Sequence, residues 1–299
     1  MVNCLPTVLR LICLLFEQPA QFLSFYKAVF YSFPAISVLL TIPKRHVSMA
    51  ANRIRPANAP LSKQKSPAPH WRSKVVRILL KTVLYFLIGS VIWVTVLKFV
   101  PVWFTPFMIV RKFEAISEGR SSKIYSDWTP MSEMSKEAPL SVVASEDQLF
   151  PQHWGFDFKS MVNAFKHNFR GKKIRGASTI SQQVAKNVFL WQGRSYIRKA
   201  LEAYFTLLIE VIWGKERILE VYLNVAETGN MTFGYEAAAQ RFFYKPAASL
   251  TRNEAARIAA VLPSPLRFSA KNPSAYVQRR TAQIARQMRM LGRVYINNL

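Results

Sequence analysis

Cysteine is nearly absent from the 299-residue chain: Cys4 and Cys13 stand at the extreme N-terminus and nowhere else. The body of the chain therefore has neither a disulfide framework nor a cysteine-ligated zinc site. Histidine is almost as scarce, and His46, His70, His153 and His167 form no metal-ligand spacing. The sequence also lacks G-x-x-x-x-G-K-[ST], G-x-G-x-x-G and H-E-x-x-H, which removes the common phosphate-loop, dinucleotide and zinc-protease readings. A lone Ser62-x-x-Lys65 has no Ser-Asp-Asn or Lys-Thr-Gly partner to give it meaning. Acids are the most telling shortage. Sixteen Asp and Glu face 41 Lys and Arg, a net charge of +25, so carboxylate chemistry must draw on a short list. Such a balance points to an anionic partner: nucleic acid, a membrane surface or a phosphorylated substrate. An apolar fraction of 51% is enough for a real core and excludes global disorder.

The charge is unevenly placed. Residues 1–112 hold 15 basic residues and a single acid, Glu17. Residues 78–100 form an apolar run with Lys81 and Lys98 near its ends, long enough to cross a bilayer at about 20 residues. Both lysines can reach headgroups along their aliphatic stems. Arg53, Arg55, Lys63, Lys65, Arg72, Lys74 and Arg77 precede it without an acid, which places that flank in the cytoplasm and the following chain outside. A buried core helix is the alternative; the basic flank with Trp93, Pro101 and Trp103 favours a membrane anchor. The expected layout is an apolar extension over 1–48, with Met49 as another natural start, and a basic cytoplasmic tail over 49–77. A single transmembrane helix over 78–100 and a periplasmic juxtamembrane segment over 101–124 follow. A folded domain over 125–292 and a tail over 293–299 complete it, with the chain held in the inner membrane.

From about Glu114 the spacing is helical: Phe158, Val162, Phe165, Phe169; then Leu201, Tyr204, Phe205, Leu208, Val211, Ile212; then Ile218, Val221, Tyr222, Val225. Alternating strand-like runs are nearly absent. Trp213 and Gly214 mark a helix break, and the alanine clusters 237–239 and 255–260 suggest two tightly packed helices. The domain is expected to be mainly α.

Four clusters can carry chemistry. Glu146, Asp147, His153 and Asp157 bring three acids and a histidine within twelve residues. A carboxylate pair can hold one member at raised pKa for acid–base work, or the acids can simply decorate a helix terminus. Ser178, Thr179, Gln182 and Gln183, followed by Lys186 and Asn187, can cradle phosphate or sugar oxygens; an ordinary helix N-cap fits equally well. Arg198 and Glu202 are i,i+4 partners, either a surface ion pair or a sheltered carboxylate ahead of an apolar helix, with Arg194 and Lys199 nearby. Residues 158–175 combine an aromatic stripe with six basic residues, the pattern of a helix lying on anionic lipid or of a core helix with a basic outer face.

In this order the clusters resemble the peptidoglycan glycosyltransferase family, found alone in monofunctional biosynthetic transglycosylases and as the N-terminal half of class A penicillin-binding proteins. The motif E-D-x-x-F-x-x-H-x-G-x-D is matched by Glu146, Asp147, Phe150, His153, Gly155 and Asp157. G-x-S-T-I-T-Q-Q-x-x-K-N is matched over 176–187 with Ser181 for threonine, and R-K-x-x-E by Arg198, Lys199 and Glu202. I-L-E-x-Y-L-N is matched over 218–224, with Gly234, Ala238 and Ala239 downstream. With no transpeptidase domain following, the pattern is similar to the monofunctional type.

The resemblance implies a lysozyme-like helical fold and polymerisation of lipid II into β-1,4 glycan, with inversion and release of polyprenyl pyrophosphate. It implies Glu146 as general base and Glu202 as second carboxylate. Lys186, Arg194, Ser178, Thr179, Gln182, Gln183, Asn187 and Arg198 would serve the donor pyrophosphate, and Asp147, His153 and Asp157 would support the first motif. No cofactor is obligatory, and a divalent cation, Mg or Mn, near Glu202 is left open. The implied partners are lipid II, the nascent glycan, membrane lipid, and cell-wall synthesis or division proteins. A lysozyme-like cleaving enzyme is the rival reading, against which the Lys–Arg cluster counts. A membrane-tethered nucleic-acid binder is a third, disfavoured because the domain is placed outside the cytoplasm and carries no recognition motif.

Overall fold

The computed structural model describes residues 70–169, 178–193 and 195–297. The readings for 1–48 and most of 49–77, the basic run 170–175 and Arg194 lie outside the described residues. Helix α1 (His70–Phe99) is followed by α2 (Pro106–Ser117), the short strand β1 (Tyr125–Ser126) and α3 (Glu137–Glu146). Next come α4 (Phe158–Phe169), α5 (Ile180–Phe189), α6 (Tyr196–Ile212) and α7 (Gly214–Val225). Strands β2 (Glu227–Gly229) and β3 (Thr232–Phe233) precede α8 (Tyr235–Phe243), α9 (Arg252–Val261), α10 (Ala275–Leu291) and the terminal turn of helix α11 (Val294–Asn297).

Local chemistry sets several of these boundaries. Thr105 caps α2 by accepting from the Met108 N–H, with Pro106 at the first helical position. Thr179 with Gln182 and Thr251 with Glu254 form capping boxes at the starts of α5 and α9. The break between α6 and α7 falls at Trp213, and Gly214 adopts φ +77°. The three strands form one sheet in the order β1-β3-β2, parallel between β1 and β3 and antiparallel between β2 and β3. At two or three residues each they are too short to show alternation, which is why the sequence hardly announces them.

Helix α3 is the centre of the core: Leu140, Val142 and Val143 are fully buried. It packs against α7, α9 and α10, while α5 packs against α6 and α7. Ala255, Ala256, Ala259 and Ala260 are fully buried in the cluster with Leu140, so small side chains let α9 approach α3 closely, as the alanine spacing suggests. Within 101–124, α2 joins the domain through Met108 and Ala115, both buried, and through Arg111, whose guanidinium pairs with Glu227 at 3.2 Å. At the other end Arg293 and Arg252 share the buried carboxylate of Glu137.

Gly155 sits where two constraints meet. Its φ is +77°, and a Cβ there would lie 2.6 Å from the Thr206 methyl. Gly155→Ala should lower unfolding free energy by about 2–4 kcal/mol through strain and overpacking together. Gly119→Ala, at φ +65° but in open space, should lose only about 1 kcal/mol. Denaturant unfolding of both variants checks this; equal losses would contradict the packing argument.

Candidate active site

Glu146 is the last residue of α3, and Asp147 is its C-cap. The acids thus occupy the negative end of the helix dipole, not the favourable N-terminal end that a merely decorative role would use. The Glu146 side chain is 14% exposed. Its Oε2 accepts from Gln183 Nε2 at 3.1 Å, and its Oε1 lies 3.8 Å from Arg280 Nη2. Burial pushes its carboxyl above the ordinary value, the Gln183 hydrogen bond and Arg280 pull it back, and Asp147 adds the smallest push. Desolvation, rather than the neighbouring carboxylate, therefore tunes this group.

Asp147 turns away to other work. It accepts the Ile180 backbone N–H at 3.1 Å and faces His153 Nε2 at 3.0 Å. Around it the first two motifs are sewn together: Thr179 Oγ1 donates to the Gly155 carbonyl at 2.6 Å. Ser181 donates to Glu210, which pairs with Lys215 at 2.7 Å, and Lys215 reaches the His153 carbonyl. Thr179 and Gln182, expected at the donor site, are 3% and 2% exposed and engaged in the capping box. Asp157 accepts from the Ser160 N–H at the start of α4. Ser178 is exposed and lines a cavity of about 1040 Å³ together with Glu146, Asp157, Gln183 and Arg280.

A second cavity, of about 440 Å³, holds Lys186 and Asn187. Gln183 and Pro263 line both cavities, so the two adjoin with Gln183 between them. Burial holds the Lys186 ammonium below its ordinary pKa, opposed by the charge of Glu202. Among the described residues Lys186 has no carboxylate within ion-pair distance. Glu202 is 3% exposed and already held: Arg198 Nη1 donates to one oxygen at 2.9 Å and Lys199 to the other. The pair is sheltered, not superficial. An ionisable carboxyl partly removed from water, and an unpaired ammonium across one amide from it, can take a proton from a hydroxyl and stabilise a departing anion.

Four further side chains reach the cleft, and three of them, Arg280, Arg111 and Glu227, escaped sequence reasoning. Arg280, on α10, approaches Glu146 only because α10 packs on α3; no local spacing signals it. Arg111 and Glu227 line the Lys186 cavity from α2 and β2. Tyr222 lies inside the fourth motif, and its hydroxyl bonds Gln183.

Residues 112–289 match the family model described as Transglycosylase. The chain belongs to that family. The match takes in every motif quoted above, the larger cavity and all of the smaller one but Phe107 and Arg111, from within α2 almost to the end of α10. Among similar proteins, a biosynthetic peptidoglycan transglycosylase of Pseudomonas entomophila is 51% identical over 74% of this chain and 93% of its own length. One of the same description from Xanthomonas oryzae is 51% identical over 76% of this chain and 94% of its own. Another, from Pasteurella multocida, is 47% identical over 80% and 98%. The transglycosylase domain is mainly helical and preceded by one apolar helix.

The raised carboxyl of Glu146 favours the folded state while it is protonated; that contribution is lost as pH rises from the ordinary glutamate value through the raised one. At neutral pH Glu146→Gln should therefore be as stable as the parent or more so, while losing at least 100-fold (roughly) in turnover. Lys186→Ala should likewise lose turnover without losing thermal stability. Melting curves beside activity assays check both; a parallel fall in stability would make either residue structural.

Proposed function

We propose that this chain is a membrane-anchored peptidoglycan glycosyltransferase that joins lipid II units into β-1,4 glycan. The observation that carries the reading is a desolvated Glu146 in one cavity and, in the adjoining one, a Lys186 with no carboxylate at ion-pair distance among the described residues, in a member of the transglycosylase family. In the proposed reaction Glu146 takes the proton of the acceptor 4-hydroxyl. The freed oxygen attacks the donor anomeric carbon from the face opposite the pyrophosphate, so the new C–O bond forms as the old one breaks and the configuration inverts. The bonding pair leaves on the pyrophosphate oxygen, where Lys186 meets the developing charge. Arg194 would join it. Arg198 and Lys199 hold the Glu202 carboxylate in place, and its charge acts on Lys186.

Each oxygen of Glu202 already accepts from a basic side chain, Arg198 on one and Lys199 on the other. Among the described residues no group of three or more His, Cys, Asp or Glu could hold a metal ion.

The substrate's lipid tail requires a membrane, and the fold supports one. Lys74–Phe99 is long and apolar enough to cross, at a mean hydropathy of 2.0. The helix end nearer the domain packs on α6: Ser90 Oγ and Tyr204 OH are 2.7 Å apart, and Trp213 Nε1 donates to the Val94 carbonyl at 2.7 Å. The outward residues of α6 beside this seam, Leu207 and Val211, are 52% and 74% exposed. Phe158 and Val162 of α4 are exposed as well, against the core-helix alternative, while the side chains of Phe165 and Phe169 lie outside the described residues. Apolar surfaces of this kind beside a membrane helix suit contact with lipid. The basic flank before the helix supports a periplasmic position for the domain.

Incubation of the full chain with labelled lipid II tests the activity directly. Polymer formed by the parent and not by Glu146→Gln is expected; shortening of preformed glycan without polymer would favour cleavage instead. Leu207→Ser with Val211→Ser should weaken capture by anionic vesicles several-fold while leaving the melting temperature unchanged, measured by flotation.

A further inference from the structure

Gln183 occupies the waist between the two cavities, and both ends of its amide are engaged. Nε2 donates to Glu146 Oε2 at 3.1 Å, and Oε1 accepts from the Tyr222 hydroxyl at 3.1 Å. Tyr222 is on α7 and is among the largest fully buried side chains of the protein.

The chemistry of the three groups makes this chain directional. An ionised carboxylate only accepts, so it must be offered the NH2 end of the amide. Reversing the amide would set its carbonyl oxygen against the carboxylate, an arrangement that suits only a protonated Glu146. The amide alone has no preference between the two; its far-side partner decides. A phenol that keeps its proton donates to Oε1 and favours the orientation that serves the ionised carboxylate. Burial holds the Tyr222 phenol well above its ordinary pKa, so the donor persists through the neutral range.

We propose that Tyr222 is a positioning residue for the reaction: by donating to Gln183 Oε1 it fixes the amide with its NH2 toward Glu146 and keeps that carboxyl available as a base. The proposal rests on Glu146 being the base. Tyr222 touches no reacting atom in this account. Its effect passes through one rotatable amide, which a packing role would not require. The hydroxyl is what matters, since Phe would fill the same space.

The test is the pH dependence of lipid II polymerisation by the full chain in detergent micelles. In Tyr222→Phe the acid limb of the kcat profile should move up by about one pH unit, a roughly tenfold loss of turnover on its acid side. Turnover should recover toward the parent value at higher pH, with KM little changed. Gln183→Leu should move the limb in the same direction, and the double variant should move it no further than Gln183→Leu alone. An unmoved acid limb, a uniform loss at all pH values, or additive shifts in the double variant would overturn the proposal. So would loss of folding in Tyr222→Phe, seen in its melting curve. Turnover retained by Glu146→Gln would overturn the base assignment itself, an outcome distinguishable from any of these.

Discussion

The arrangement at the cleft depends on one side chain that takes no part in the chemistry. Asp147 accepts the Ile180 N–H at the first position of α5, satisfying a helix-end donor and placing negative charge at the positive end of that helix. The next residue back is Glu146, the end of α3. A single carboxylate therefore joins the end of one helix to the start of another and sets their register. Three residues after Ile180, Gln183 meets Glu146; three further on, Lys186 enters the neighbouring cavity on the same side of α5. His153 steadies Asp147, and the Thr179–Gly155 and Ser181–Glu210–Lys215 contacts hold the loop that carries it.

The scarce acids fall into a pattern around this joint. Glu137 has Arg252 and Arg293, Glu202 has Arg198 and Lys199, Glu210 has Lys215, and Glu227 has Arg111. Each of these buried carboxylates has a basic partner at direct contact distance. Glu146 has an amide hydrogen bond and a cation only at 3.8 Å. Lys186 is the matching exception among the cations facing the cleft. Among the described residues most buried carboxylates are met by basic residues; Glu236 is met instead by the Gln240 amide and the Ala247 N–H, and Glu146 and Lys186 are the incompletely compensated groups that line the two cavities. In the proposed reaction those are the groups that meet the hydroxyl proton and the pyrophosphate. Part of the overall charge of +25 is thus taken up by internal ion pairs with the scarce acids.

Much of this was legible in the sequence, and the reasons are physical. The helical period, the long apolar run and the alanine clusters follow from burial on one face of a helix, which a linear pattern records. The motif residues were also legible as a set, yet motif membership does not separate reacting groups from braces. Thr179 and Gln182, named for the donor site, form the capping box of α5, the alternative their residue types always allowed. Asp147 was expected to raise the pKa of Glu146 and contributes least to it, because its direction was invisible before the loop was folded. Arg280, Arg111 and Glu227 come from elements far apart in the chain, and only packing brings them to the cleft. The three short strands lack the length to write a period at all.

The account's central claim is that desolvation at the end of α3 makes Glu146 a base with a raised pKa. It is tested most directly by titrating that carboxyl with carbon-13 NMR in glutamate-labelled full-length protein, assigned by the signal missing in Glu146→Gln. The account predicts a midpoint clearly above the ordinary glutamate value of about 4.3. A midpoint at or below that value would contradict it.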